Sequence, residues 1–288
     1  MDAFCANHSP EGGNKLSPKY KNTFTTEYYV KNICGSNCAD LGIVIMSNEG
    51  QCFVIDGGAA ENAERLASHI VSECGGKVDA WFVTCPRPES AGALLKILRT
   101  KSSIVKIDRV IYSHIIPDEV EKYDGTLAAF AENFNITVRS SKCRKLDVET
   151  DDRIKLGRAL VRVFKVSDLA EDMSDDFVSN SGVAYKFTLC RTSALFLGSL
   201  GTQAGTVILE NYKDELSCDY LQIPICRKHL PDGIYALANP SVCLWFVTAD
   251  DWEKDAETER TRNLLTSLGV TDNRVTGLGD SLDIEITY

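Results

Sequence analysis

The order of predicted strands and helices most constrains the fold of this chain. Short runs rich in β-branched and aromatic residues predict strands, and apolar residues at helical spacing predict helices. Each half of the sequence begins with strands and continues with helices that alternate with strands. This order is typical of layered α/β proteins. We therefore predict two mixed sheets packed face to face with helices outside both, a four-layer αββα sandwich.

Both halves of the chain predict strands first and then helices together with strands. The first half predicts strands at 28–30, 41–46, 52–55, 78–83, 105–112 and 136–138, with helices at 60–74, 89–99 and 118–133. The second half predicts strands at 144–146, 153–156, 159–166, 182–190, 194–196, 220–223, 242–247, 274–276 and 282–286, with helices at 206–212 and 254–268. Strand 78–83 is almost continuously apolar, as expected where both faces of a strand are covered.

Composition favours a globular protein with reduced cysteines. The 288 residues allow a sizeable core, and we predict one domain at 23–288 after a flexible polar tail at 1–22. No apolar run is long enough for a membrane helix, and the first residues do not resemble a secretory signal. The 11 cysteines are odd in number and lie within strands and helices. This pattern predicts free thiols in a soluble, cytoplasmic protein.

The charge distribution weighs against a general affinity for nucleic acid. The net charge is −10, which disfavours non-specific attraction to phosphate backbones. Residues 96–165 nevertheless contain 15 basic and 10 acidic residues. Nucleic-acid binding through this segment is therefore the weaker alternative, and a solvated surface of mixed charge is the simpler interpretation.

The loop after strand 78–83 contains the most informative side chains, Thr84-Cys85-Pro86-Arg87-Pro88-Glu89-Ser90. The two prolines stiffen the loop around Arg87, whose planar guanidinium matches carboxylate or phosphate oxygens. Glu89 and Ser90 stand where a helix begins, so a capping role also explains them. Cys85 is either an inert buried thiol or a thiolate whose pKa Arg87 lowers.

Five phrases follow one another in order along residues 28–286. A hairpin led by Asp40 ends in Asp56-Gly57-Gly58, and strand 79–84 with its loop comes next. Residues 180–183 with 195–200 form the third phrase, 218–224 the fourth and 239–242 the fifth. Together these phrases resemble the metallo-β-lactamase fold. The nearest branch is the hydrolase domain of bacterial competence (DNA-uptake) proteins.

The resemblance implies a zinc site whose ligands this chain does not contain. The fold's usual ligands are His and Asp side chains, and the zinc ion activates a water molecule for hydrolysis. The family's ligand positions fall on Cys85, Arg87, Glu89, Ser90, Ser199, Ile225 and Cys226. Only Cys85, Glu89 and Cys226 could contact a metal, because Arg87 is a permanent cation and Ile225 has no donor atom. We therefore expect no metal and no other cofactor.

The same residues define a strand-end cleft. It comprises Asp56, Cys85, Arg87, Glu89, Ser90, Ser199, Ile225 and Cys226. Asp56 belongs to it, although ordering the glycine turn that follows is its simpler role. Of the four histidines, His114 and His229 are the two that could approach the cleft.

We predict a non-hydrolytic protein, a pseudoenzyme, that binds a small anionic ligand or a partner protein at this cleft. The alternative is a hydrolase acting on phosphodiesters, lactones or thioesters. It would use a non-standard metal site or a Cys85 thiolate, with Glu89 as the second candidate catalytic residue.

Overall fold

The computed structural model of the chain describes residues 26–34, 39–166, 177–225 and 229–287. The predicted tail at 1–22 and Cys226 of the strand-end cleft lie outside these residues. Within the described ranges, no helix combines the length and the apolar character required to cross a bilayer.

The first sheet has seven strands, in the spatial order β16-β1-β2-β3-β5-β7-β8. They are β1 (Thr26–Asn32), β2 (Gly42–Ser47), β3 (Cys52–Asp56), β5 (Ala80–Phe82), β7 (Arg109–Tyr112), β8 (Arg144–Asp147) and β16 (Ile284–Thr287). Pairing is antiparallel from β16 to β3 and parallel from β3 to β8. Short strands β4 (Lys77–Val78) and β6 (Lys106–Ile107) pair beside the sheet.

The second sheet also has seven strands, in the order β15-β14-β13-β12-β11-β10-β9. They are β9 (Arg153–Leu156), β10 (Ala159–Lys165), β11 (Val183–Leu189), β12 (Thr192–Phe196), β13 (Tyr220–Gln222), β14 (Val242–Trp245) and β15 (Asp272–Val275). It is antiparallel from β9 to β12 and parallel from β12 to β15. Both sheets are therefore mixed.

Helices cover the outer face of each sheet. The first sheet packs against α1 (Ala63–Cys74), α2 (Pro88–Thr100) and α4 (Gly125–Ser140), and the second against α6 (Thr202–Tyr212), α7 (Asp232–Ala238) and α9 (Ala256–Ser267). The remaining helices are α3 (Pro117–Glu121), α5 (Phe177–Asn180) and α8 (Ala249–Lys254). This arrangement confirms the predicted αββα layers.

Aromatic side chains fill the space between the two sheets. The Phe82 ring of the first sheet meets the Tyr185 and Phe187 rings of the second edge to face, at centroid distances of 5.1 and 4.9 Å. Phe187 in turn meets Phe196 at 5.7 Å. Edge-to-face packing of buried rings favours one relative placement of the sheets. The core between the sheets therefore fixes where the strand ends of one sheet lie relative to those of the other.

The predicted strand at 136–138 is wrong, because α4 continues through it to Ser140. Asp124 starts this helix by accepting hydrogen bonds from the backbone N–H groups of Thr126 and Leu127. Phe134 and Val138 are four residues apart and both buried, which is the helical spacing. Residues 136–138 are therefore helical despite their β-branched side chains, because tertiary packing outweighs their strand propensity.

The predictions also missed the short helices α5, α7 and α8. Each has seven residues or fewer, so none shows a full apolar stripe in the sequence. The Thr248 hydroxyl caps α8 by accepting from the Asp251 N–H. Local capping and tertiary contacts, which periodicity does not report, account for helices of this length.

Candidate functional site

Thr84 joins the two sheets at the end where the strand-end cleft lies. Its carbonyl oxygen accepts from the Val183 N–H at 2.7 Å, and the Val83 carbonyl accepts from the Tyr185 hydroxyl at 3.0 Å. Gly198 lies against the Thr84 side chain, since a Cβ added there would be 2.3 Å from Thr84 Oγ1. Only glycine allows this approach, and the positive φ of 59° at Gly198 favours glycine as well.

Asp56 is held inside the protein by Thr84. Its carboxylate accepts from the Thr84 N–H and from the Thr84 hydroxyl, both at 2.7 Å, and its carbonyl accepts from the Trp81 indole N–H at 2.6 Å. Burial raises the pKa of Asp56 to about 7, the Thr84 hydrogen bonds partly offset this shift, and the charge of Glu89 adds to it. Desolvation therefore outweighs two short hydrogen bonds.

Cys85 is a buried hydrogen-bond donor. Its side chain is 1% exposed and its Sγ donates to the Val178 carbonyl at 3.2 Å. Ile115 and Val120 complete its apolar surroundings. Burial raises the pKa of the thiol to about 12, although Arg87 and Ser199 oppose the shift. Since the thiolate is the nucleophile, Cys85 is not poised as a nucleophile near neutral pH.

Arg87 and Glu89 lie where α2 begins, at the edge of the predicted strand-end cleft, which we call its rim. Arg87 immediately precedes this helix, and its Nη1 is 3.2 Å from Glu89 Oε1. Their side chains are 15% and 36% exposed. The first turns of α2 pack closely against the backbone at Ala60, because a Cβ on Gly92 would be 2.7 Å from the Ala60 nitrogen. The rim therefore presents a guanidinium and a carboxylate on a rigid helix end.

Ser90 and Ser199 are buried polar residues of the cleft interior. Both side chains are at most 2% exposed, and within the described part of the chain the Ser90 hydroxyl has no partner at hydrogen-bond geometry. The Ser199 hydroxyl lies beside the Cys85 thiol and lowers its pKa. A buried hydroxyl without a partner retains the cost of its desolvation, so Ser90 does not stabilise the fold through a hydrogen bond.

Ile225 reaches the same region through Gly198. The Ile225 N–H donates to the Gly198 carbonyl at 3.0 Å, and the side chain packs on the core between the sheets. The segments around 85 and 225, 140 residues apart in the chain, therefore meet at Gly198 and Thr84. The neighbouring position 226 lies outside the described residues.

The two histidines considered for the cleft contact other residues. His114 is exposed, and its backbone N–H donates to Asp147 Oδ1. The ring of His229 is 3.3 Å from Glu257 Oε1 and 3.4 Å from Arg260 Nη2, on the side of α9. In the part of the chain that the structure describes, neither imidazole contacts Asp56, Cys85 or Ser199.

Sequence reasoning overlooked the residues that hold this site together. No role was predicted for Thr84, Gly198 or Gln222, although all three lie within the phrases that carry the resemblance. Gln222 is completely buried and accepts from the Gly198 N–H at 2.6 Å. The available signal was a polar residue at the end of an apolar strand. A polar side chain that is buried there generally has hydrogen-bond partners.

The donor set among the described residues does not fit a zinc ion. Among the described residues, no three His, Cys, Asp or Glu side chains are grouped to hold a metal. The described positions where the resemblance places ligands contain a buried thiol, a guanidinium, two hydroxyls and an isoleucine besides Glu89, and the seventh position, Cys226, lies outside the described residues. Tetrahedral zinc sites use three or four thiolate, imidazole or carboxylate ligands, so we derive no zinc chemistry from these side chains.

Comparison with solved structures defines the fold. The metallo-β-lactamase fold protein YhfI from Bacillus subtilis superposes with a TM-score of 0.56 at 9% identity, over 91% of this chain and 100% of YhfI. Igni18, a metallo hydrolase from the archaeon Ignicoccus hospitalis, gives 0.53 at 13% identity, over 90% and 99%. A diphosphatase from the PhnP family gives 0.51 at 14% identity, over 90% and 98%. This chain therefore has the metallo-β-lactamase fold.

Sequence comparison adds nothing to this assignment. No protein-family model and no curated protein sequence matches the chain. At identities of 9–14%, the structural likeness identifies the architecture and leaves the chemistry to be argued from the side chains.

The buried carboxyl of Asp56 predicts an unusual dependence of stability on pH. Between the unfolded pKa near 4 and the folded pKa of about 7, the folded state keeps a proton that the unfolded state loses. The free energy of unfolding therefore falls as pH rises through this range, by roughly 4 kcal/mol in total. Asp56→Asn should remove this contribution, as measured by urea unfolding at several pH values from 4 to 8.

An exposed acidic residue provides the matched control. Glu61→Gln, in the exposed turn before α1, should leave the pH dependence of the wild type unchanged. The same pH dependence in Asp56→Asn and in the wild type would contradict the assignment of the buried proton to Asp56.

Proposed function

We propose that this protein is a non-hydrolytic pseudoenzyme that has lost the zinc ligands of its fold and binds a small anionic ligand at the rim of the strand-end cleft. The observation that carries the proposal is the placement of Arg87. Its permanent positive charge lies at the start of α2, at a position where the resemblance places a zinc-binding histidine. A guanidinium attracts anions and repels a dication.

The rim is favoured over the interior because the interior is filled. Asp56, Cys85, Ser90 and Ser199 are each at most 2% exposed. Arg87 and Glu89 remain in contact with solvent. An incoming anion therefore meets the guanidinium first, at a helix end where backbone N–H groups and the helix dipole also favour negative charge.

Glu89 competes with an incoming anion for the Arg87 guanidinium. Its carboxylate pairs with Arg87 at 3.2 Å, and both groups are partly solvated. Partly exposed ion pairs of this kind contribute little free energy. A carboxylate or phosphate ligand that binds the guanidinium through two oxygens can therefore replace Glu89 at small cost.

Two substitutions at the rim test the anion site in opposite directions. Glu89→Gln should strengthen binding of inorganic phosphate about fivefold, because a competing charge worth about 1 kcal/mol is removed. Arg87→Lys should weaken it about tenfold, because lysine lacks the planar two-point donor geometry. Isothermal titration calorimetry with phosphate, sulfate and acetate measures both effects.

Glu119→Gln is the matched control, since Glu119 forms a similar exposed pair with Lys122 on α3. It should bind phosphate like the wild type. If neither the wild type nor Glu89→Gln binds any of the three anions, the small-ligand proposal is rejected, and a protein partner becomes the better explanation of the rim.

Metal content tests the proposed loss of zinc chemistry directly. Protein purified from zinc-supplemented cultures should contain far less than one zinc ion per chain, because the described residues group no three donor side chains and Arg87 opposes a dication. Inductively coupled plasma mass spectrometry measures this, with a chelator-treated sample as the baseline. One or two tightly bound ions per chain would reject the proposal.

The alternative, a hydrolase, has two observations in its favour. Two proteins that share this fold are described as a metallo hydrolase and a diphosphatase. The Asp56 carboxyl, with a pKa of about 7, can act as a general base. Against it, both Asp56 oxygens are occupied by Thr84 and Cys85 is protonated. The non-hydrolytic proposal accounts for more of the site.

Cys85→Ala separates the two proposals by activity. Wild type and variant should give the same background turnover on phosphodiester, lactone and thioester substrates, since a buried neutral thiol does not attack them. Chromogenic assays at neutral pH, with a heat-denatured sample as control, measure this. Turnover that disappears in Cys85→Ala would establish the thiol-based hydrolase instead.

Two finer predictions from the sequence gain no support from the described side chains. Several basic residues of segment 96–165 are paired with carboxylates, among them Arg162 with Glu215 and Asp151, and Arg144 with Asp108. Nucleic-acid binding therefore stays the weaker alternative. The likeness to competence proteins stays a prediction from short sequence phrases.

A further inference from the structure

A cavity of about 360 Å³ lies at the opposite end of α2 from the rim of the strand-end cleft. Arg87 immediately precedes α2, whereas Ile97 and Leu98 line the cavity near the end of the helix. The helix has 13 residues, so its two ends are about 20 Å apart. The cavity is therefore separate from the cleft, and its volume is one that small ligands occupy.

The floor of the cavity is aliphatic. Ile97 and Val105 are buried, and Leu98 and Ile107 are partly buried against the same core. Cys143, which is 8% exposed, adds a free thiol. The lining residues that the structure describes include no aromatic ring on which a nucleobase would stack. The floor therefore suits a saturated hydrocarbon chain.

Two exposed lysines, Lys106 and Lys142, complete the wall of the cavity. They belong to segments 96–109 and 139–145, which together contain nine basic residues and one acidic residue. The acidic residue, Asp108, is already paired with arginines 109 and 144. These segments therefore supply no further carboxylate to neutralise the two ammonium groups, and the local excess of positive charge attracts anions.

Backbone hydrogen bonds hold the cavity wall in place. The Lys106 N–H donates to the Gly76 carbonyl at 2.7 Å, and the Arg144 N–H donates to the Asp108 carbonyl at 2.8 Å. At the end of α4, the Ser141 hydroxyl donates to the Val138 carbonyl at 2.7 Å. A ligand that enters a wall fixed in this way loses little affinity to the ordering of protein segments.

We propose that this cavity binds a medium-chain aliphatic anion, a carboxylate or a phosphate monoester, with its chain on the floor and its charged group between Lys106 and Lys142. The chain gains free energy by leaving water for the aliphatic floor. A lysine ammonium acts as a point charge without the fixed fork of arginine, so both kinds of charged group are accepted. This site is independent of the anion site proposed at the rim.

A series of fatty acids tests the floor. Isothermal titration calorimetry of the full-length protein with butanoate, hexanoate and octanoate should show affinity rising roughly tenfold for each two methylene groups added. Octyl phosphate should bind as octanoate does. Octanol and octyltrimethylammonium have the same chain without the negative charge, and each should bind about tenfold more weakly than octanoate or less.

Charge removal tests the two lysines. Lys106→Gln and Lys142→Gln should each weaken octanoate binding about fivefold, since each removes one partly solvated ion pair with the ligand. Lys96→Gln is the matched control, because Lys96 lies on α2 in the same basic segment and does not line the cavity. It should bind octanoate like the wild type.

The Cys143 thiol reports where the ligand binds. At about ten times its dissociation constant, octanoate should slow labelling of Cys143 by N-ethylmaleimide roughly tenfold, because about one cavity in ten stays empty. Peptide mapping by mass spectrometry measures this. Labelling of Cys190, a partly exposed free thiol between β11 and β12 of the second sheet, should not change.

Four outcomes would overturn the proposal. Equal affinity for all chain lengths would mean that the floor is not used, and equal affinity for octanoate and octanol would mean that the lysines are not. Octanoate binding without protection of Cys143 would place the ligand elsewhere. Tighter binding of adenosine monophosphate than of octanoate would identify a nucleotide site instead.

Discussion

The contact of Thr84 with Asp56 and with the second sheet is the interaction on which the rest of the structure depends. One residue satisfies both carboxylate oxygens of Asp56, accepts a backbone hydrogen bond from Val183, and packs against Gly198. Buried polar groups require such partners, because an unsatisfied one retains its full desolvation cost. Thr84 therefore sets the positions of β3, β5 and β11 relative to one another, and with them the place of Cys85 and Ser199.

The same contact explains why the cleft interior differs from its rim. With Thr84 engaged on three sides and Cys85 bonded to the Val178 carbonyl, the interior is packed with neutral or hydrogen-bonded groups. Burial raises the pKa values of both Asp56 and Cys85, since a low dielectric disfavours their charged forms. Stable charge is found at the start of α2, where Arg87 and Glu89 keep contact with water. Ligand recognition by charge is therefore expected at the rim.

The fold could be predicted largely because it follows from local patterns. Alternating and continuous apolar runs identified the strands of both sheets, and the helical stripes identified α1, α2, α6 and α9. The errors lie where local pattern and tertiary packing disagree. Residues 136–138 have strand propensity but continue α4, since Phe134 and Val138 bury their side chains only on a helix. Of the site, the sequence indicated the residue types at positions 85 to 90, but not their burial.

The sequence by itself determined the layered architecture, because the spacing of apolar residues decides which elements have a face to bury. Through the resemblance it also led us to expect a guanidinium and an isoleucine at two metal-ligand positions of the fold. Only the tertiary structure decided that Thr84, Gly198 and Gln222 meet, since these residues come from separate segments and their hydrogen bonds exist only when the sheets pack. It likewise decided that Cys85 is protonated and Arg87 accessible, because burial and charge environment depend on neighbours that chain order does not specify.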